Sequence, residues 1–165
     1  SVNYEGTMTK VYASQNKAKA FIYGGGFSAT YRPALHFSLF GSINYTYGRF
    51  NNDTVLVPLD HIPPVTGRLG IKYDHQVWYT ELYSLYNGRK KLVDYNPAGE
   101  DNIQYSTPTG TPSWYTVNFR AGVTFAKHVQ LQAGVENILD KNYRYFASGM
   151  SAPGRNFVLA VRYIY

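Results

Sequence analysis

Hydrophobic and polar residues alternate along much of the chain, which predicts β-strands that are each apolar on one face. The pattern is clearest in YTVNFRAGVTF, residues 115–125, and in VQLQAGVEN, residues 129–137. An α-helix would repeat its apolar positions every three or four residues instead. We predict seven strands, at residues 18–31, 35–48, 66–74, 77–87, 114–125, 129–138 and 155–165.

Short links between these strands predict three hairpins. With AKH, residues 126–128, as a turn, apolar residues face one another in pairs: Phe125 with Val129, Val123 with Leu131, Ala121 with Ala133, and Phe119 with Val135. A turn at RPA, residues 32–34, gives the pairs Ala29 with Phe37, Phe27 with Leu39, Gly25 with Gly41, Tyr23 with Ile43, and Phe21 with Tyr45. A turn at HQ, residues 75–76, pairs Tyr73 with Trp78 and Leu69 with Leu82. Each of these registers places the apolar residues of both strands on one face of the hairpin. This is expected, because the hydrophobic pattern and the turn together set the register.

The connections alternate strictly between short and long. Turns after the first, third and fifth strands have two or three residues, whereas those after the second, fourth and sixth have roughly 17, 26 and 16 residues. All long loops therefore lie at one end, which is typical of an antiparallel up-and-down transmembrane β-barrel. Seven is an odd number of strands, so either residues 1–15 hold an eighth strand or the sheet continues beyond this sequence.

Composition narrows the class of protein. A chain of 165 residues is the size of one domain. Its 17 tyrosines suit a membrane–water boundary, because the ring of tyrosine is apolar and its hydroxyl is polar. The net charge of +6 comes from scattered residues, which disfavours a nucleic-acid-binding stripe. The sequence begins at Ser1 without a signal segment, so we interpret it as part of a longer protein.

The sequence has little that predicts catalysis, a metal or a cofactor. Its four histidines, His36, His61, His75 and His128, have no ligand spacing to one another, and ordinary exposed or interfacial histidines are the favoured interpretation. Glu100 and Asp101 are predicted to form an exposed loop tip rather than a calcium site. Since no nucleophile with a base or pair of carboxylates stands out, we predict that the protein is not an enzyme.

Two groups of residues are candidates for contact with a ligand or with other parts of the protein. The lumen-facing positions of the predicted strands carry the charged residues Arg68, Lys72, Glu81, Arg120, Glu136 and Arg162. Glu81 is predicted to lie diagonally from Lys72 and Arg68, and Arg120 diagonally from Glu136. The long loops offer aromatic and basic residues suited to a bulky, partly apolar and often anionic ligand. These are Arg89, Lys90, Lys91, Tyr95, Tyr105, Trp114, Arg144, Tyr145 and Phe146. The tyrosines fit an outer interfacial girdle equally well.

The last 32 residues, GVENILDKNYRYFASGMSAPGRNFVLAVRYIY, resemble the C-terminal end of TonB-dependent outer-membrane receptors. In that family the penultimate strand runs into an ENLxDxxY turn and a PGRxF strand ends in an aromatic residue. The matching residues are Glu136, Asn137, Ile138, Leu139, Asp140, Tyr143, Pro153, Gly154, Arg155, Phe157 and Tyr165. A second segment, PLDHIPPVTGRLGIKY, resembles the approach to an earlier barrel strand.

The resemblance implies that residues 1–165 are the C-terminal part of a larger barrel, without the plug domain through which the TonB complex acts. It implies import of a scarce nutrient, such as an iron-siderophore, haem or cobalamin, across the outer membrane of a Gram-negative bacterium. The terminal stripe of apolar residues would face lipid and be read by the barrel-assembly machinery. It consists of Phe157, Leu159, Val161, Tyr163 and Tyr165. The alternative is a small outer-membrane or secreted β protein for adhesion or carbohydrate binding.

Overall fold

A computed structural model describes residues 2–10, 19–52, 55–97 and 101–163. The strands are β1 (Val2–Tyr4), β2 (Thr7–Thr9), β3 (Ala20–Ala34), β4 (Phe37–Asn52), β5 (Val55–Pro58), β6 (Thr66–His75), β7 (Trp78–Asn87), β8 (Trp114–Phe125), β9 (Val129–Glu136) and β10 (Asn156–Tyr163). Two single-turn 3-10 helices span Leu92–Asp94 and Ile103–Tyr105. Within the described ranges, no helix has the length and apolarity needed to cross a bilayer.

The strands form an antiparallel up-and-down sheet, which confirms the predicted fold class. Its order is β10-β9-β8-β7-β6-β4-β3, and β5 pairs with the end of β4. All seven predicted strands are present, with boundaries displaced by a few residues. The described part of residues 1–15 forms a separate hairpin, β1 with β2, and does not supply an eighth strand to this sheet.

The β8–β9 hairpin has the predicted register, from Phe125 facing Val129 to Phe119 facing Val135. In this hairpin the alternation of apolar and polar residues predicts the same register as the length of the three-residue link. Because side chains alternate between faces, this register brings apolar residues together on one side of the sheet.

The predicted register of β3 and β4 is wrong by four residues. The turn lies at residues 35–36 rather than 32–34, so Ala29 faces Gly41 and Gly25 faces Tyr45. Strand β3 continues through Pro33 because an irregularity between Tyr31 and Ala34 accommodates a residue that cannot donate to the ladder.

The β6–β7 register also differs from the prediction by two residues. The turn is formed by residues 76–77, so Tyr73 faces Thr80 and Leu69 faces Ser84. Gln76 adopts a positive φ of 33°, which lets the chain reverse later than the predicted turn. A shift of two residues keeps every side chain on its predicted face.

One face of the sheet exposes large apolar side chains along every strand. On β10, Phe157 is 75% exposed, and Leu159, Val161 and Tyr163 share its face. Tyr165, the last member of the predicted stripe, lies outside the described residues. An apolar surface of this extent on a soluble monomer would promote association, whereas a lipid environment satisfies it.

The small hydrophobic core lies mainly beside the long loops rather than between two sheets. Its buried members in the described part of the chain are Ile62, Tyr83, Tyr95 and Trp114. Ile62 and Tyr95 are in loops, and Trp114 begins the strand that follows the longest loop. The fold therefore combines a sheet with exposed faces and a packed cluster at one end.

Candidate functional site

The long connections pack together at one end of the sheet, as predicted. We call residues 59–65, 88–97, 101–113 and 137–155 the loop assembly. The His61 amide donates a 2.7 Å hydrogen bond to the Asp101 carboxylate, which joins the first segment to the second long loop. The Asn102 side chain donates a 2.7 Å hydrogen bond to the Ala147 carbonyl, which joins that loop to the third.

Asn137 fastens the start of the third loop. Its main-chain N–H donates to the Asn118 side chain at 2.8 Å, which anchors the loop to β8. Its side-chain amide donates to the carbonyls of Lys141 at 2.8 Å and Pro153 at 3.3 Å. Its side-chain oxygen accepts a 2.9 Å hydrogen bond from the Lys141 amide. Asn137 therefore connects a strand with both ends of the loop.

Asp140 and Arg155 close the same loop from the other side. The Asp140 carboxylate accepts a 2.8 Å hydrogen bond from the Arg155 amide, and the Arg155 guanidinium donates one of 3.0 Å to the Ile138 carbonyl. A side chain at Gly154 would meet the Asp140 carboxylate at 2.6 Å. The two stretches that resemble the family motif, NILD and PGR, are thus joined by hydrogen bonds across the two ends of the loop.

A partly buried ion pair and a buried carboxylate were not identified from the sequence. Arg49, at the end of β4, pairs with Asp94 of the second loop at 2.7 Å. Asp101 is only 2% exposed and accepts hydrogen bonds from the main chain at His61 and Asn96. The predicted exposed loop tip is therefore wrong for Asp101, and Glu100 lies outside the described residues. A carboxylate that stabilises distant main-chain amides has no local sequence pattern.

Lys90 is inside the loop assembly rather than at its surface. It is 6% exposed, donates a 2.6 Å hydrogen bond to the Ile62 carbonyl, and lies 4.9 Å from the centre of the Phe146 ring. Burial lowers the pKa of Lys90, an effect that the nearby Asp94 and Asp101 carboxylates oppose. Lys90 consequently links three loop segments and has little surface to offer a ligand.

Trp114 forms the centre of an aromatic cluster. It is buried, its indole N–H donates to the Arg144 carbonyl at 2.9 Å, and its ring lies 4.2 Å from that of Tyr143 and 4.9 Å from that of Tyr145. Burial, with a contribution from Tyr145, raises the pKa of Tyr143 to about 12. Tyr143 therefore stays neutral at physiological pH, so the centre of the cluster is uncharged.

Tyr95 belongs to the same interior. Its hydroxyl lies 2.6 Å from that of Thr111, and its ring packs edge-on against Phe146 with 5.3 Å between ring centres. Tyr95 is buried, whereas Phe146 is half-buried. This pair joins the second loop to the third and leaves Phe146 as the partly accessible member.

The remaining predicted loop residues are accessible. Arg89, Lys91, Tyr105 and Tyr145 are exposed, and the Arg144 guanidinium lies 5.4 Å from the centre of the Tyr105 ring. A cleft of about 370 Å³ between the second and third loops is bordered by Tyr105, Tyr143 and Arg144. Cations beside aromatic rings can bind an anionic group and the apolar body attached to it.

The polar face of the sheet carries the predicted lumen charges. The strand registers place the following residues on it: Arg68, Lys72, Glu81, Arg120, Glu136 and Arg162. Arg120 lies opposite Gly134 and therefore diagonally from Glu136, as predicted. Its guanidinium donates a 3.4 Å hydrogen bond to the Tyr83 hydroxyl. Among the ion pairs of the described residues, none joins Arg120 to Glu136.

Glu81 lies at the centre of these charges. It faces Lys72 and Arg120 directly, whereas Arg68 faces Leu85. The predicted diagonal placement of Glu81 against Lys72 and Arg68 is therefore wrong, because the β6–β7 register is displaced. The Arg68 guanidinium forms an ion pair with Glu81, and Lys72 pairs with Asp74 at 2.8 Å. Among the described residues there is no group of three or more His, Cys, Asp or Glu side chains arranged to hold a metal ion.

A family model described as TonB dependent receptor-like, beta-barrel, matches residues 2–138. The solved structure of the copper transporter OprC resembles the chain with a TM-score of 0.74 and 22% sequence identity. The match covers 87% of this chain and 23% of the transporter chain, and it shows similarity of fold. The sequence has no significant match among curated proteins.

Proposed function

Since this chain belongs to the TonB-dependent receptor β-barrel family, whose members lie in the outer membrane of Gram-negative bacteria, we propose that its parent protein imports a scarce nutrient into the periplasm. In this proposal the chain is the C-terminal part of the barrel. A plug domain elsewhere in the parent receives energy from the TonB complex, and the barrel-assembly machinery inserts the protein. Family membership favours this function over an adhesion or carbohydrate-binding module.

One observation supports ligand capture by the loops. The three long loops are fastened to one another by buried side chains, while Arg89, Lys91 and Tyr105 remain exposed. A rigid rim keeps its binding groups in place and so reduces the entropy lost when a ligand is bound. The pairing of cations with aromatic rings suits a bulky anionic metal chelate such as an iron-siderophore or haem. Cobalamin is a further bulky metal chelate among the proposed nutrients.

The proposal can be tested by uptake in a strain that lacks the chromosomal receptor. The full-length receptor would be supplied on a plasmid, with an Fe³⁺–catecholate siderophore, haem, cyanocobalamin and, because of the structural similarity, Cu²⁺ as separate probes. We expect uptake of one probe to depend on the receptor. For an anionic probe, the double variant Arg89→Glu, Lys91→Glu should lower receptor-dependent uptake at least tenfold, because it replaces attraction of an anion by repulsion.

Lys127→Glu is the matched control, because it reverses one exposed charge at the opposite, short-turn end of the sheet. Receptor levels in the outer membrane would be compared for all variants. If uptake of none of the four probes depends on the receptor, the result contradicts import of a nutrient of this class. Unchanged uptake in the double variant would contradict capture by these loop cations while leaving import intact.

A further inference from the structure

Two histidines that are distant in sequence lie side by side at the short-turn end of the sheet. His36 is in the turn between β3 and β4, and His75 is the last residue of β6. Because β4 and β6 are neighbours, the Asp74 amide donates a 2.9 Å hydrogen bond to the His36 carbonyl. The centres of the two imidazole rings are 5.1 Å apart.

Aromatic residues surround this pair of histidines. The centre of the His36 ring is 5.7 Å from that of Tyr73, and the centre of the His75 ring is 6.0 Å from that of Trp78. The Tyr73 and Trp78 rings pack against each other at 5.1 Å. Both histidines are half-buried. Neighbours of this size restrict the rotation of the imidazoles, so little conformational freedom remains to be lost on binding.

The His75 ring has an unsatisfied nitrogen. Its Nδ1 atom is buried and has no hydrogen-bond partner among the residues that the structure describes. Buried polar atoms normally have a partner, and exceptions can mark the position of an ion. Two imidazoles that share one tetrahedral ion through bonds of about 2.1 Å have ring centres about 5 Å apart, which agrees with the separation of His36 and His75.

We propose that His36 and His75 form a two-histidine site for a late first-row divalent cation, Cu²⁺ or Zn²⁺. Neutral imidazole is a good ligand for both ions, and the order of affinities for nitrogen ligands favours Cu²⁺. Water completes the coordination, since the neighbouring carboxylate of Asp74 is paired with Lys72 at 2.8 Å. The site lies at the opposite end of the strands from the loop assembly, so it does not depend on the proposed nutrient import.

The test uses the full-length receptor purified in detergent and titrated with Cu²⁺ under electron paramagnetic resonance. We expect one bound ion to show hyperfine coupling to two imidazole nitrogens. His36→Ala and His75→Ala should each weaken its affinity at least tenfold. His128→Ala is the matched control, because His128 lies in the third short turn and packs 6.1 Å from Tyr163. Equal Cu²⁺ affinity in the wild type and the three variants would overturn the proposal.

A second measurement avoids variants altogether. Diethyl pyrocarbonate modifies accessible histidine nitrogens, and mass spectrometry locates each modified residue in the wild-type receptor. Zn²⁺ should protect His36 and His75 from the reagent and leave His128 unaffected. Equal modification of His36 and His75 with and without Zn²⁺ would refute the site, even where an alanine variant fails to fold.

Discussion

At the residue scale, Asn137 shows how a polar side chain can organise a loop. It joins β8 to both ends of the third loop, and its own main chain has a positive φ of 49°. Asparagine adopts this backbone conformation more readily than most residues, and its amide both donates and accepts. Resemblance to a family motif singled out Asn137, but the letters alone do not predict which carbonyls it binds.

Replacing Asn137 by alanine should therefore destabilise the receptor. Loss of its side-chain hydrogen bonds, together with a strained backbone, is expected to lower the free energy of unfolding by about 2 to 4 kcal/mol. Urea unfolding in lipid vesicles, followed by tryptophan fluorescence, measures this change. Asn142→Ala is the control, because Asn142 is exposed in the same loop and should change stability by less than about 0.5 kcal/mol. Equal losses for the two variants would argue against a special role for Asn137.

At the scale of elements, alternation predicted strands and faces better than it predicted registers. The β8–β9 pairing is confirmed, whereas β3–β4 is displaced by four residues and β6–β7 by two. Registers that differ by an even number of residues keep every apolar side chain on the apolar face. The hydrophobic pattern alone therefore does not distinguish between these registers. Turn conformation selects among them. A positive φ at Gln76 and an irregular pairing before Ala34 are not evident in hydrophobic patterning.

Gly70 separates two aromatic residues on the polar face. It faces Phe40 on β4 and Tyr83 on β7, and the Arg68 guanidinium lies 5.0 Å and 4.4 Å from the centres of these two rings. An added Cβ would overlap the Phe40 ring and come within 2.8 Å of the Tyr83 Cβ. The absence of a side chain therefore allows three strands to pack around one cation.

Gly70→Ala should lower the stability of the assembled barrel by about 1 to 3 kcal/mol, because the added methyl group overpacks the space between Phe40 and Tyr83. The fraction of receptor that migrates as a folded species on unheated SDS gels is a direct measurement. Gly25→Ala is the control, since a Cβ there meets no atom within 4 Å. A folded fraction for Gly70→Ala that matches Gly25→Ala would show that the surrounding rings simply move aside.

At the scale of the whole molecule, the sheet exposes an apolar face and the long loops pack together at one end. The position of the loop assembly was predictable, because strict alternation of short and long connections places every long loop at one end. The contacts inside the loop assembly were not predictable. His61 and Asp101 are 40 residues apart, and Asn102 and Ala147 are 45 apart. Such contacts form only after the sheet has brought the loops together, so no local pattern distinguishes buried Lys90 from exposed Arg89.

The terminal stripe leads to a prediction about assembly. Phe157, Leu159 and Val161 share one exposed face of β10, and Tyr165 is expected to complete that face. Tyr165→Ser should reduce the amount of full-length receptor in the outer membrane, because the assembly machinery is expected to read this aromatic end. Fractionation and immunoblotting measure the effect. Tyr105→Ser, in a loop, is the control, and equal outer-membrane levels of the two variants would refute a role for Tyr165 in assembly.

The interlocking of the loops has a consequence for how such a receptor can diverge. Residues that join the loops, such as Ile62, Asp101 and Ala147, depend on partners in other loops, so a change in one favours compensating changes in the others. Arg89 and Lys91 lie outside this interior and can vary independently. The charge and size of these exposed side chains can therefore change without redesign of the interior.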